Sequence, residues 1–222
     1  MSQANYSILD RPEILQFIFY PRRDFTKTPS NASDHLILVD KDVSISCRFY
    51  THSQSSPSII FFHGNGEVVS DYDYIAPMYN QLGINLFVAD YRGYGASQGR
   101  PTFSSMISDA PIIFKAFSDI LKQGHYTNDI FVMGRSLGSV SAIEIVYRYQ
   151  EQIKGVIIES GFGSVINLLS GLGFPIEYLG FKDVDFPNLA KIRTVTVPTL
   201  IIHGEYDSLI PSTEGEALFH NV

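Results

Sequence analysis

A serine between two glycines carries the clearest chemical signal in this sequence of 222 residues. The motif Gly134-Arg135-Ser136-Leu137-Gly138 follows the apolar run "DIFVM" and precedes residues with helical spacing. G-x-S-x-G between a strand and a helix is typical of a nucleophile elbow, in which the serine occupies a strained turn at a helix N-terminus. Ser136 is therefore the candidate nucleophile of an acyl-transfer reaction. The alternative is a serine that only caps the helix.

A glycine-rich loop, His63-Gly64-Asn65-Gly66-Glu67, follows an earlier apolar run, "PSIIFF". Elbow-type sites take a second oxyanion donor from the loop after this strand, where glycine lets the backbone turn an N–H inward. We expect the Asn65 N–H to be that donor and the Leu137 N–H to be the other. His63 precedes the nucleophile, which favours a loop-supporting role over the role of catalytic base.

A carboxylate that could orient an imidazole follows the last apolar run. Asp207 lies in "HGEYDSLIP", and its competitors are Glu205 in the same loop and Glu159 at the end of the preceding run. A carboxylate in this place can fix the tautomer of a catalytic histidine and stabilise its imidazolium form. We expect Asp207 to be the acid.

The base is harder to find, because His220 is the only histidine after Asp207. The segment "GEALFH" resembles the middle of a helix whose N-cap residue is Ser212 or Thr213. A helix from Thr213 to His220 would carry its last residue roughly 10 Å along the helix axis. We therefore expect His220 to lie far from Ser136 and the base to be missing.

The elements that position these residues follow from the hydrophobic pattern. The segments "HLILVD" and "VSISCRFYT" flank a Lys41-Asp42 turn and predict a hairpin. Five apolar runs follow, "PSIIFFHG", "INLFVAD", "DIFVMG", "KGVIIES" and "PTLIIHG", and they are typical of parallel strands buried on both faces. Three stretches with helical spacing lie between them, at 68–82, at 103–120, where Pro111 could kink or restart the helix, and at 137–147. This alternation predicts a mostly parallel α/β sheet with helices on both faces.

Composition narrows the class of protein. The formal charge of −7 argues against nucleic acid or an anionic membrane as partner. Cys47 is the only cysteine, which excludes an internal disulfide and a thiolate metal site. Neither a signal peptide nor an uncharged segment long enough to span a bilayer is evident. We expect a cytoplasmic protein with an N-terminal arm at 1–34 and one domain at 35–222. Residues 161–190 form either a lid or pocket wall, or an ordinary packed helix pair.

Four motifs in register resemble a known superfamily. "HGNGE", "ADYRGYGASQG", "GRSLGS" and "HGEYDSLIP", in this order, are similar to the α/β-hydrolase fold. More narrowly they resemble its serine-hydrolase branch of Bem46-like and ABHD13/ABHD17-type proteins, some of which remove fatty acyl groups from proteins. The resemblance covers roughly residues 35 to 220 and implies no metal or organic cofactor. It also implies structural rather than catalytic roles for Asp90, Arg92 and Gly93.

The resemblance also implies what is absent. Relatives carry the catalytic histidine in a "GAGH"-like loop after one more helix and strand, and nothing here matches it. Without that strand "TLIIHG" would be a bare apolar edge, which natural proteins avoid. We therefore expect a chain shortened at its C-terminus and inactive as given, because loss of a triad member lowers the rate by about 10⁴ to 10⁶.

Two functional hypotheses remain open. The first is a serine hydrolase that cleaves an ester, thioester or amide of a small or acylated substrate. The second is a non-catalytic protein of the same fold that binds a ligand or partner. Seven apolar residues could line an acyl pocket or simply pack the core: Phe162, Val165, Ile166, Leu168, Leu169, Leu172 and Phe174. The sequence leaves the substrate and the oligomeric state undetermined.

Overall fold

The protein is built around one seven-stranded sheet of order β1-β2-β4-β3-β5-β6-β7. The computed structural model describes residues 6–127, 129–176 and 186–222. The strands are β1 (Ala32–Asp40), β2 (Val43–Tyr50), β3 (Ser58–Phe62), β4 (Asn85–Ala89), β5 (Ile130–Arg135), β6 (Gly155–Glu159) and β7 (Thr199–Ile202). The strands β1 and β2 form the predicted hairpin, and β2 continues antiparallel to β4.

The remaining strand pairs are all parallel, as the apolar runs predict. The central strand β3 lies between β4 and β5, and all five of its residues are buried. The strand β7 lies at the edge of the sheet, and among the described residues no strand pairs with its outer side. The carboxyl ends of parallel strands lie at the same end of the sheet, and we call this end the carboxyl edge. The loops after β3, β5, β6 and β7 therefore meet there.

Helices connect the strands and cover both faces. They are α1 (Pro12–Ile18), α2 (Ala76–Gln81), α3 (Phe103–Gln123), α4 (Ser139–Tyr149), α5 (Val165–Gly171), α6 (Asn188–Ile192) and α7 (Ser212–Phe219). The helices α3 and α4 pack together in the main core on one face. A short 3₁₀ segment, Val69–Asp73, and α2 cover the other face, where a smaller core lies over β2 to β5. Among the described residues, no helix is both long and apolar enough to cross a bilayer.

Two of the predicted helical stretches differ in detail. Residues 68–82 form the 3₁₀ segment and α2 rather than one helix, and Pro77, which lacks an N–H, lies in the first turn of α2. The side chain of Leu82, the last residue of this stretch, is exposed. In contrast, α3 runs continuously through Pro111, so that this proline neither ends nor restarts the helix.

The proposed lid segment is described only in part. Residues 161–176 contain α5, and α6 begins at Asn188, whereas 177–185 lie outside the described residues. Five of the seven apolar residues proposed for an acyl pocket are buried in the main core: Phe162, Val165, Leu168, Leu169 and Phe174. The other two, Ile166 and Leu172, pack against it. This burial favours core packing, and an acyl pocket lined by the same residues stays a prediction.

The N-terminal arm packs on the sheet domain. Ile14 and Ile18 of α1 are buried in the main core, and the ring of Phe19 contacts that of Phe103 at 5.6 Å between centroids. The predicted boundary between arm and domain, at residue 34, falls inside β1, because this strand runs from Ala32 to Asp40. The division into arm and domain stays a prediction about independent folding units.

Candidate active site

Ser136 occupies the strained turn that its motif predicts. It has a φ of 51°, in the left-handed region, directly between β5 and the helical segment that leads into α4. A Cβ at Gly138 would lie 2.0 Å from the Phe62 carbonyl oxygen, and a Cβ at Gly134 would lie 2.5 Å from the Gly138 carbonyl oxygen. Both glycines are therefore needed for the close approach of α4 to β3 and β5. The result is a half-buried serine held at the carboxyl edge of the sheet.

One predicted oxyanion donor lies in the elbow and the other in the loop after β3. Leu137 lies next to Ser136, and Asn65 lies in the loop after β3, whose last residue, Phe62, contacts Gly138. Within the described residues, neither the Asn65 N–H nor the Leu137 N–H donates a hydrogen bond. Unpaired N–H groups beside a serine hydroxyl are suited to bind a developing oxyanion.

The N-terminal arm holds the Asn65 side chain in place. The Asn65 Oδ1 accepts from the Tyr20 N–H at 3.0 Å and from the Tyr94 hydroxyl at 2.6 Å, while its amide nitrogen donates to the Ile18 carbonyl. One residue on, Arg22 Nε donates to the Gly66 carbonyl at 2.8 Å. These contacts join residues 29 to 47 positions apart, so no local sequence pattern points to them.

His63 has the loop-supporting contacts expected of it. Its ring is fully buried, with Nδ1 2.8 Å from the Gly64 carbonyl oxygen and Nε2 3.1 Å from Asp90 Oδ1. The same Asp90 oxygen accepts from the Val69 N–H at 3.0 Å. Both ring nitrogens thus have partners, which leaves His63 without a nitrogen for the Ser136 proton.

The neighbouring motif residues also have structural contacts. The guanidinium of Arg92 pairs with the Asp109 carboxylate, with Nε 2.7 Å from Oδ2. Gly93 has a φ of 79°, at which a residue with a side chain would be strained. These contacts fit the structural roles that the resemblance implies for Asp90, Arg92 and Gly93.

Asp207 follows β7 and shares the carboxyl edge with Ser136. Only β6 separates the strands that carry the two residues, so their strands lie roughly 10 Å apart at about 4.8 Å per strand. The Asp207 Oδ1 accepts N–H bonds from Leu209 at 3.0 Å and from Ile210 at 2.9 Å. Burial alone would raise the pKa of Asp207, but these N–H groups, the Ser160 hydroxyl and nearby His203 lower that pKa below its usual value.

The competing carboxylates have different surroundings. Glu205 is exposed, and Glu159 faces Arg135, whose Nε lies 3.6 Å from its Oε1. Asp207 is therefore the carboxylate that the backbone holds in a fixed orientation.

Ser160 is a site residue that the sequence did not reveal. It follows β6 with a φ of 46°, and its N–H donates to the Ile202 carbonyl at 2.8 Å. Its hydroxyl interacts with the Asp207 carboxylate. A serine with positive φ has no local sequence signature, so only the observation that it ends an apolar run could have pointed to it.

All six histidines lie in the described part of the chain, and none contacts Ser136 by a hydrogen bond. His203 directly follows β7, which is separated by β6 from the strand that precedes Ser136. Its Nε2 donates to the Ile210 carbonyl at 2.7 Å and lies 4.0 Å from Asp207 Oδ2. Its ring is packed under α7, where a Cβ at Gly215 would lie 2.6 Å from Nδ1. His203 supports the acid loop rather than reaching the serine.

His220 lies at the opposite end of the sheet. The helix α7 begins at Ser212, with Pro211 rather than Ser212 or Thr213 as its N-cap residue, and it ends at Phe219. Beyond it, Asn221 accepts from Arg193, whose neighbour Thr194 accepts from Gln150 at the end of α4. Arg193 and Thr194 precede β7 by only a few residues, so they lie at the amino ends of the strands.

A strand of six residues such as β5 is about 20 Å long at roughly 3.3 Å per residue. The imidazole of His220 is therefore far outside hydrogen-bond distance of Ser136, which follows the carboxyl end of β5. The structure places four predicted site residues at the carboxyl edge of the sheet: Ser136, Asn65, Leu137 and Asp207. It places His220 at the amino ends of the strands.

Comparison with known proteins connects this arrangement to a family. The family model described as serine aminopeptidase, S33, matches residues 53–172, which is more than half of the chain. The human α/β hydrolase domain-containing protein 17B is 31% identical over 180 residues, covering 79% of this chain and 59% of that protein. The mouse α/β hydrolase domain-containing protein 17C is 30% identical over 186 residues, covering 81% and 54%. This chain thus spans less than two thirds of the length of these relatives.

Solved structures share the fold at low sequence identity. A Pyrococcus furiosus esterase superposes with a TM-score of 0.70 at 20% identity, covering 92% of this chain and 84% of the esterase. The Est1E protein from Butyrivibrio proteoclasticus, with ferulic acid bound, gives a TM-score of 0.67 at 19% identity and covers 84% and 85%. Both likenesses identify the α/β-hydrolase fold.

Proposed function

Because this chain belongs to the serine aminopeptidase S33 family and has the α/β-hydrolase fold, we propose that it cleaves an ester, thioester or amide through an acyl-enzyme on Ser136. The observation that carries the proposal is the strained Ser136, with a φ of 51°, at the same end of the sheet as the unpaired N–H groups of Leu137 and Asn65. That geometry suits a nucleophile and its oxyanion hole.

In the proposed reaction, Ser136 Oγ attacks the substrate carbonyl carbon and the Leu137 and Asn65 N–H groups bind the resulting oxyanion. An imidazole takes the hydroxyl proton and returns it to the leaving group, and Asp207 orients that imidazole. Water then attacks the acyl-enzyme in the same way and releases the acid. No step of this reaction needs a metal or an organic cofactor.

The imidazole is not supplied by any of the six histidines in the arrangement described above. We therefore expect little or no turnover by these 222 residues alone, because loss of the histidine lowers the rate of triad enzymes by about 10⁴ to 10⁶. Added imidazole can take the place of a missing histidine side chain if the space beside Asp207 is accessible.

A fluorophosphonate probe tests the proposal. We expect slow labelling of Ser136, faster labelling when imidazole is added, and no labelling of the Ser136→Ala variant. The His220→Ala variant should label as fast as the parent, within about twofold, since His220 is far from the serine. Equal labelling of Ser136→Ala and the parent would show that the nucleophile is wrong.

A second candidate function is a non-catalytic protein of this fold, and the absence of an imidazole at Ser136 favours it. Such a protein would bind its ligand equally well with Ser136→Ala, and imidazole would not increase labelling of its serine. The same probe experiment therefore separates the two functions.

The length of the acyl chain in the substrate is a separate part of the proposal. Because five of the seven candidate pocket residues are buried in the core, we expect little room beside them for a long acyl chain. Hydrolysis of p-nitrophenyl esters from two to sixteen carbons, measured with imidazole present and after subtraction of the rate found with Ser136→Ala, tests this directly. We expect the rate to be highest for short esters, and a maximum at long chains would place an acyl pocket elsewhere.

A further inference from the structure

One carboxylate connects the oxyanion loop to the nucleophile motif. Glu67 Oε2 accepts from the Gly64 N–H at 2.8 Å and from the Tyr72 hydroxyl at 2.7 Å. Its Oε1 lies 3.0 Å from Arg135 Nη1. The Glu67 side chain is 26% exposed, so these bonds are partly shielded from water.

Each partner of Glu67 lies next to a residue of the proposed site. Gly64 directly precedes Asn65, the candidate oxyanion donor, and Arg135 directly precedes Ser136. A Cβ at Gly64 would lie 3.2 Å from the Glu67 carboxylate, so the absence of a side chain at 64 lets the carboxylate approach. The position of the Asn65 N–H relative to the serine is thus set from both ends by Glu67.

Electrostatics holds the carboxylate in this place. Partial burial lowers the pKa of Arg135, but Glu67, Glu159 and Tyr72 raise it above its usual value. The guanidinium therefore stays charged and bonded to Glu67. The Glu67 side chain thus contacts both the Gly64 N–H of its own loop and Arg135 of the motif Gly134–Gly138.

We propose that Glu67 is a positioning residue of the oxyanion hole, which fixes the Asn65 N–H relative to Ser136 through Gly64 and Arg135. This inference rests on the proposed function, since it assigns a role in the same site. Glu67 itself does not contact the substrate.

Two substitutions separate its roles. Glu67→Gln keeps an oxygen that can accept from Gly64 and loses the charge that pairs with Arg135, whereas Glu67→Ala loses both. Since removal of an oxyanion donor lowers kcat by about 10² to 10³, we expect misplacement in Glu67→Ala to lower the maximal labelling rate of Ser136 at least about tenfold. The probe affinity should stay within about threefold. Glu67→Gln should recover most of the rate.

The experiment uses the fluorophosphonate with imidazole present, and Glu216→Ala and Glu216→Gln, on an exposed part of α7, are the matched controls. The Gly64 amide proton, followed by NMR, should move upfield in Glu67→Ala and much less in Glu67→Gln. A maximal rate for Glu67→Ala within twofold of the parent would overturn the proposal. So would an unchanged Gly64 resonance. Failure of the proposed function gives a different result, namely labelling that persists in Ser136→Ala.

Discussion

At the level of single residues, the position of the nucleophile depends on glycines. A methyl group added at either one would overlap backbone atoms of a neighbouring segment. Gly138 lets α4 approach the end of β3, and a Cβ there would overlap the Phe62 carbonyl. Asp207 depends instead on backbone N–H groups that face its carboxylate. Both residues contribute to stability as well as to the site, so each can be tested without turnover.

Gly138→Ala should lower the free energy of unfolding by about 3 kcal/mol, the upper part of the range for overpacked positions. The physical reason is the 2.0 Å separation between the added Cβ and the Phe62 oxygen. Gly204→Ala is the matched control, because the nearest atom to its Cβ would be 3.9 Å away. Urea unfolding measures both. Equal stability of the two variants would contradict the close approach at the elbow.

The lowered pKa of Asp207 predicts a pH dependence of stability. The folded protein holds this carboxyl with a pKa below the usual 3.8, so its contribution is complete above that pH. The contribution is lost as the pH falls through the folded-state pKa, since protonation removes the charge that the N–H groups stabilise. The parent should therefore be more stable than Asp207→Asn between pH 5 and 7, and the difference should shrink below about pH 4. A pH-independent difference in urea unfolding would rule out this origin.

At the level of elements, the N-terminal arm is part of the framework of the site. The arm supplies two backbone partners to the Asn65 side chain, and Arg22 bonds to the next residue of the same loop. The oxyanion loop is thus held on one side by the arm and on the other by Glu67. This explains how a loop with two glycines can keep an N–H in a fixed place.

Asn65→Ala should loosen the arm, because it removes three hydrogen bonds that join distant segments. At about 1 kcal/mol per bond we expect a loss of roughly 1–3 kcal/mol and faster proteolysis within residues 19–25. Asn31→Ala is the control, since its side chain makes a single long bond of 3.4 Å to Asn80. Equal protease sensitivity of the two variants would argue against the arm as a support of the loop.

At the level of the whole molecule, the sheet has an apolar edge. The outer side of β7 has no partner among the described strands, and Leu200 and Ile202 are 54% and 47% exposed. Unpaired apolar edges promote association with other chains. We expect this edge to limit solubility.

Leu200→Lys should raise the protein concentration at which self-association begins, because a charge on an edge strand opposes strand pairing. Leu82→Lys is the control: its side chain is 77% exposed, but it follows a helix and not an edge strand. Both variants change the net charge equally. Light scattering against concentration compares them, and the same onset for both would mean that β7 is not the associating surface.

Much of this architecture could be read from sequence, for physical reasons. Buried parallel strands need apolar residues on both faces, so their runs stand out, and the elbow needs glycines at fixed offsets from Ser136. Residues 68–82 were harder, because the same aromatic spacing suits a short 3₁₀ segment followed by α2. Glu67 was missed as a site residue, since its partner Arg135 is distant in sequence.

The central claim is that Ser136 becomes acylated. The most direct measurement is peptide mapping by mass spectrometry after incubation with p-nitrophenyl acetate and imidazole, followed by an acid quench. We predict one acetyl group on the peptide that contains Ser136 and none on the same peptide of Ser136→Ala. Imidazole and the ester together also acetylate exposed lysines and tyrosines, so the comparison with Ser136→Ala decides. A Ser136 peptide that is no more acetylated in the parent than in Ser136→Ala would contradict the account.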